Sequence, residues 1–166
     1  GITGDADGNG LAASFNRPTS IAADNAGNLY VSDRSNYRVR KITPSGEVTT
    51  LAGSTAGHAD GIGSAAQFSF ATAITKSVDG NLYISDVTTV RKINPTTGEV
   101  TTIAGKFGDR GIVDGTGTAA RFFFAHGITS DPSGNLYVSE FNQHVIRKIT
   151  NFVSVVKLRL QKVVET

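Results

Sequence analysis

GNLYVSD at residues 27–33 returns as GNLYISD at 80–86 and as GNLYVSE at 134–140. The part after the glycine is rich in β-formers and alternates along its length, which is the pattern of a strand. The glycine ahead of it takes the positive φ that a tight hairpin turn needs, free of Cβ strain. Gly27, Gly80 and Gly134 lie 53 and 54 residues apart. The chain on either side repeats at the same interval. RVRKITPSGEVTTLAG (38–53) returns as TVRKINPTTGEVTTIAG (89–105). GDADGNGLAASF (4–15) returns as GHADGIGSAAQF (57–68) and RGIVDGTGTAARF (110–122). Self-similarity at such a period marks a repeat architecture.

In the first repeat, residues 19–24, 28–33, 37–43 and 47–52 read as four strands separated by Gly-, Pro- and Ser-bearing turns. Four antiparallel strands per unit, with long connections between units, define a β-propeller blade. The first strands are TSIAAD, TAITKS and HGITSD, small side chains around Ile21, Ile74 and Ile128. Small residues suit an innermost strand crowded around a channel. The expected fold is therefore all-β, three four-stranded blades over residues 1–150, divided at about 1–53, 54–105 and 106–160. Residues 151–166 form a divergent C-terminal strand or tail.

The opening GDADGNG places Asp5, Asp7, Asn9 and Gly10 at the spacing of an EF-hand's first half. The repeats argue against a calcium loop. Asp5 becomes His58 and Ile112, and Asn9 becomes Ile62 and Thr116, whereas Asp7-Gly8 is kept as Asp60-Gly61 and Asp114-Gly115. What repeats is a turn and a short helical turn that deliver Phe15, Phe68 and Phe122 inward.

The segments Pro-x-x-Ile-Ala-x-Asp (18–24), Gly-Asn-Leu-Tyr-Val-Ser-Asp (27–33) and Ser-Asn-Tyr-Arg-Val-Arg-Lys-Ile (35–42) resemble NHL-repeat β-propellers. The resemblance covers the chain to about Thr150. Repeat 2 departs from it, with a middle loop two residues shorter that lacks counterparts of Asn36 and Arg38. NHL propellers resemble closed rings, commonly of six blades. Three blades are half of such a ring and leave two apolar faces bare. A second copy closing the ring, a head-to-tail filament, or a fragment excised from a longer propeller would each account for them. The lack of Met makes a processed or excised chain the expectation. The resemblance also brings RNA-binding modules and metal-dependent lyases into view.

Composition narrows the function classes. Of 166 residues, 19 are Gly, about 11% against a usual ~7%, and they fall at repeated turn positions. A net charge of +2 gives no reason to expect a nucleic-acid or membrane partner. With no Cys there is no disulfide framework and no zinc-thiolate site. His58, His126 and His144 are non-equivalent and lack metal-ligand spacing, so no metal or cofactor is expected. Asp33, Asp86 and Glu140 end the second strand of every repeat and read as acceptors for loop backbone N–H groups. Arg40-Lys41, Arg91-Lys92 and Arg147-Lys148 read as exposed strand charges that discourage unwanted pairing.

The expected function is a non-enzymatic binding or assembly scaffold that recognises a protein, peptide or glycan. Self-association is expected, and a location outside the cytoplasm or in a periplasm. Strand topology puts the Asp-Gly loops and the second-to-third-strand loops on one face. Its non-repeated residues Arg34, Asn36, Tyr37, Phe141, Asn142, Gln143 and His144 are the candidate ligand contacts, with His126 at the channel mouth. A metal-dependent lyase or hydrolase around His126 is the enzymatic alternative. Titration calorimetry with calcium should give no binding heat. A micromolar affinity lost in Asp5→Ala would overturn the structural reading of the opening loop.

Overall fold

Three antiparallel sheets follow one another along the chain, one per repeat, in the computed structural model, which describes residues 1–150 and 154–158. The first contains β1 (Gly8–Asn9), β2 (Pro18–Ala23), β3 (Leu29–Asp33), β4 (Arg38–Ile42) and β5 (Glu47–Gly53). The second contains β6 (Gly61–Ile62), β7 (Ala71–Lys76), β8 (Leu82–Asp86), β9 (Thr89–Ile93) and β10 (Glu99–Gly105). The third contains β11 (Gly115–Thr116), β12 (Ala125–Ser130), β13 (Leu136–Glu140), β14 (Val145–Thr150) and β15 (Ser154–Lys157). The expected turn at 151–153 and the tail beyond 158 lie outside the described residues. None of the described helices is long and apolar enough to cross a membrane.

Each sheet has five strands where four were expected. The order β1-β5-β4-β3-β2 puts the long strand of small residues innermost and adds a two-residue strand at the outer edge. The Asp-Gly loop supplies that strand. It climbs beside β5 in the register Gly8↔Val48 and Asn9↔Glu47, and Gly10 N–H donates to the Gly46 carbonyl (3.0 Å). The loop therefore runs along the outer edge instead of standing on the binding face, and covers the first two residues of β5 there. A 3-10 turn follows, Gly10–Ala12, Gly63–Ala65 and Gly117–Ala119 in the three blades. It returns the chain inward, and Phe68 and Phe122 become fully buried while Phe15 is half-buried.

A buried arginine explains why these segments repeat together. Arg40, Arg91 and Arg147 are 0% exposed, which corrects their reading as surface charges. Arg40 donates to Asp33 (2.9 Å) and the Ser14 carbonyl (3.0 Å) through one terminal nitrogen, and to Asp7 (2.7 Å) and the Ala6 carbonyl (2.7 Å) through the other. Arg147 repeats the arrangement with Glu140 (2.9 Å), Asp114 (2.8 Å) and the carbonyls of Arg121 and Val113. Arg91 does so with Asp60 (2.7 Å) and, more loosely, Asp86 (3.5 Å). Each guanidinium also lies over a phenylalanine ring, Phe15, Phe68 or Phe122, at 5.0–5.5 Å. The strand-end acids accept loop N–H groups as well: Asn16 on Asp33, Ser69 and Phe70 on Asp86, Phe123 and Phe124 on Glu140. Burial nevertheless pushes the Asp86 carboxyl above its ordinary value.

Two apolar cores lie between blades. Tyr30, Val39 and Ala52 of the first blade meet Phe68, Ile74, Leu82, Ile84 and Ile93 of the second. Tyr83, Val90 and Ala104 of the second meet Phe122, Leu136, Val138 and Ile149 of the third. The equivalent positions on the outer blades have no neighbour. Ile21 is 61% exposed where Ile74 is 4%, and Ile146 is 46% exposed where Val90 is 0%. The inner strands belong to separate sheets and are joined by hydroxyls. Ser32 Oγ donates to the Ala71 carbonyl (2.6 Å), Ser85 Oγ to that of His126 (2.6 Å), and Ser130 Oγ to that of Lys76 (2.9 Å). Glycine is required where the last strand passes the middle loop. Gly53 and Gly105 have φ of +98° and +85°, and a Cβ there would collide with the carbonyls of Tyr37 and Thr88.

The tight turns are capped by carboxylates. Asp24 accepts from the Asn28 side chain (2.8 Å), the N–H groups of Ala26 and Asn28 (2.9 Å each) and the Tyr30 hydroxyl (3.0 Å). These bonds, the Asn28 amide foremost, hold its carboxyl at about 2, below the ordinary 3.8. Burial and Asp24 together push Tyr30 up to about 12. In the second blade Ser77 takes the place of Asp24, and Asp79, two residues on, reaches Asn81 (2.7 Å) and Tyr83 (2.7 Å) instead.

Two outcomes are expected. Arg91→Met leaves Asp60 and Asp86 uncompensated and should cost about 3–5 kcal/mol in urea unfolding. For Asp24, the folded carboxyl is the more acidic. Its stabilisation is fully present above the unfolded value near 3.8 and is lost as pH falls towards 2. Melting temperature should therefore drop more between pH 4 and pH 2 in the native chain than in Asp24→Asn.

Candidate functional site

On the face carrying the middle loops, three sets of equivalent positions converge where the inner strands begin. The residue two before each first-strand hydroxyl position is Arg17, Phe70 or Phe124. The position itself is Thr19, Thr72 or His126. The residue after the strand-end acid is Arg34, Val87 or Phe141. Each set changes in at least one blade, although the strands around them repeat: Phe recurs at 70 and 124 and Thr at 19 and 72, while Arg34, Val87 and Phe141 all differ. Thr19, Arg34, Thr72, Phe124, His126 and Phe141 line a cleft of about 330 Å³ that draws on all three blades.

The backbone holds these side chains. Buried Glu140 accepts the N–H groups of Phe123 and Phe124 and fixes the entry to β12. Phe141 N–H donates to the Phe124 carbonyl (3.0 Å), tying the two ring-bearing segments together. The His126 ring lies 5.2 Å from Phe141 at 30° and 6.2 Å from Phe124 at 27°, and Phe124 and Phe141 are 6.2 Å apart. These three rings form one wall. Arg34 faces the cleft from the first blade, its guanidinium 4.7 Å above the Phe70 ring. Thr72 Oγ1 donates to the His126 carbonyl (2.8 Å) and Thr19 Oγ1 to that of Ala71 (3.3 Å), so each hydroxyl keeps acceptor capacity.

Of the residues singled out in the sequence, Arg34, His126 and Phe141 come together here. Asn36 does not. Its amide donates to the Gly4 carbonyl (2.8 Å) and to Asp33 (2.7 Å), a structural task inside the first blade. Tyr37 is half-buried at φ +56°, and exposed Asn142 and His144 have φ of +66° and +55°, so all three turn their loops. Gln143 is half-buried and donates its N–H to the Glu140 carbonyl (3.3 Å). Phe124, Thr19 and Thr72 were missed as contacts. Phe124 repeats Phe70 and Thr19 repeats Thr72, so failure to repeat does not single them out.

Other depressions offer less. The opposite face carries a larger one of about 490 Å³, lined by turn residues such as Asn25, Ser77 and Pro132. His58 stacks on Phe107 at 3.9 Å and 5° in a groove at the outer side of the second blade, away from His126. Among the described residues no three His, Asp or Glu side chains group as a metal site.

Sheets stacked about a common inner layer, with the variable residues at one mouth of that layer, define a β-propeller. Residues 15–42 match the NHL repeat, and the chain as a whole folds as blades of the propeller type. It is similar to a protein of unknown function from Bacteroides thetaiotaomicron, with 32% identity and a TM-score of 0.69 over 78% of this chain and 33% of that one. An auxiliary nutrient binding protein from Bacteroides ovatus matches at 16% identity and TM-score 0.66, over 87% and 36%. Virginiamycin B lyase from Staphylococcus aureus matches at 16% and 0.60, over 86% and 41%. The last two likenesses show the fold alone. The chain thus spans between a third and about two-fifths of these proteins. No curated protein matches it.

Removing the wall should leave the fold intact. Phe141 is 56% exposed, so Phe141→Ala should change unfolding free energy by no more than about 0.5 kcal/mol. A loss of several kcal/mol would make Phe141 a packing residue.

Proposed function

We propose that the chain is a non-enzymatic binding module that captures a small ligand or the exposed end of a peptide or glycan at the cleft between Arg34 and Phe141. The observation that carries this reading is the split between repeated and unrepeated residues. Every repeated polar side chain described above has a partner within the fold, whereas the unrepeated Arg34, His126 and Phe141 meet in one concave place. Concave sites with aromatic walls and few polar groups are the usual form of small-ligand sites. Auxiliary nutrient binding proteins are among the neighbours of the same fold, beside a lyase and a gluconolactonase, and they are in keeping with capture and with a location outside the cytoplasm. Nuclear magnetic resonance titration with peptide and oligosaccharide libraries tests the reading. Shifts confined to Thr19, Phe124, His126 and Phe141 are expected. A stoichiometric transition metal in the purified protein, lost in His126→Ala, would favour a lyase or hydrolase instead.

Self-association is the second part of the proposal. The bare face of the third blade presents Tyr137 and Ile146, and that of the first presents Phe15 and Ile21. These are the positions that already pack against each other between the first and second blades. A second copy seated head-to-tail would bury them, at about 25 cal/mol per Å² of apolar area. Light scattering on this chain should give twice its 17.4 kDa mass, with a melting temperature that rises with protein concentration. A monomer whose melting is independent of dilution would rule this out.

A further inference from the structure

We infer that the cleft takes a carboxylate borne on a six-membered ring, the carboxylate on Arg34 and the ring against the Phe124–His126–Phe141 wall. This rests on the binding role proposed above and names the chemistry of the ligand.

Arg34 differs from the other half-buried and buried arginines. Arg38, Arg40, Arg91, Arg121 and Arg147 each reach at least one carboxylate within 3.5 Å or less. No described carboxylate pairs with Arg34; its Nε is buried without a hydrogen-bond partner, as are those of Arg40, Arg91 and Arg147, so the missing carboxylate is what sets it apart. The strand-end acids that stand nearest along the chain are committed. Asp33, Asp86 and Glu140 each hold a buried guanidinium and loop N–H groups. The cleft itself is lined by no acid. Its fixed charge is therefore positive and uncompensated. Stacking on Phe70 restricts the guanidinium plane, so its fork is presented to a partner in a limited range of directions. A planar fork of that kind fits a carboxylate with two parallel bonds.

The opposite side of the cleft sets the rest of the ligand. Three rings at 5.2–6.2 Å, inclined to one another by 27–57°, offer aromatic surface on which a sugar ring's C–H face or an aromatic ring can rest. Thr19 and Thr72 add hydroxyl oxygens between the two sides. A volume of about 330 Å³ is at the low end of the roughly 300–1,000 Å³ of small-molecule sites. It suits one ring with its acid group more than a length of folded chain. All lining residues come from one chain, so the inference does not depend on self-association.

Two sources share this chemistry, a uronic acid residue and an aromatic carboxylate. The experiment titrates the full chain by calorimetry and nuclear magnetic resonance with galacturonate, glucuronate and benzoate, and with glucose and benzyl alcohol as uncharged counterparts. At least one acid should bind saturably, ten-fold or more tighter than its uncharged counterpart. The tighter of the uronates or benzoate identifies the source. Arg34→Gln should abolish that preference, and Arg34→Lys should restore part of it. Phe141→Ala should weaken acid and uncharged ligand together. Folding of each variant is checked by its backbone spectrum. Equal binding of acid and uncharged forms, or an acid preference kept in Arg34→Gln, overturns the carboxylate inference but leaves the binding role standing. If none of these probes shifts Phe124, His126 or Phe141, the inference fails. If the peptide and oligosaccharide libraries also leave them unmoved, the binding role fails with it.

Discussion

One guanidinium per blade holds three distant stretches of chain together. In the first blade Arg40 joins the end of β3 through Asp33, the outer loop through Asp7 and Ala6, and the inward-turning segment through Ser14. A buried charge of this kind is costly unless it is paired, and Arg40 bonds through both terminal nitrogens while its Nε has no partner. Its four terminal bonds form only when β1 lies beside β5 in register and the following phenylalanine has turned in beneath the guanidinium. Asp7 closes the arrangement by accepting the N–H and hydroxyl of Thr50 on β5. The two cores between blades rest on this, because the Phe68 and Phe122 that fill them are delivered by the same loop.

With the blade held from its outer side, the inner mouth is free to vary. The side chains at the entry to each first strand and after each strand-end acid do not fill the cores between blades. Thr72, His126, Arg34 and Phe141 therefore differ in kind without disturbing the sheets that carry them. The strand-end acids still govern their placement, through the N–H groups of Asn16, Phe70 and Phe124. The fold thus aims residues that it does not choose.

The blades were legible in the sequence because turns and strands have local signatures. Gly27, Gly80 and Gly134 all have φ near +82°, and the alternation after them becomes β3, β8 and β13. The arginines were not legible in the same way. Arg-Lys within an alternating strand gives no local sign of which of the two is buried, and the acceptors that make burial tolerable lie 5 to 34 residues away. Asp79 was hidden for a related reason. The cap on the second turn is the same contact reached from a different position, and an alignment of repeats compares positions. At the site, Arg34, His126 and Phe141 were found by their failure to repeat. Asn36 failed to repeat as well, but only its bonds to Gly4 and Asp33 assign it to the scaffold.

The serine hydroxyls between inner strands set how stiffly one blade is hung on the next. Ser32 and Ser85 each reach the neighbouring blade through a rotatable hydroxyl, alongside bonds from Thr19, Thr72 and Ser130 and a backbone bond from Ala125 N–H to the Val87 carbonyl (2.7 Å). Ser139, at the corresponding place on the third blade, accepts from its own Gly127 N–H (3.0 Å). The inner strands thus meet without a continuous backbone ladder, and the mouth they frame is set by hydroxyls and packing more than by strand register.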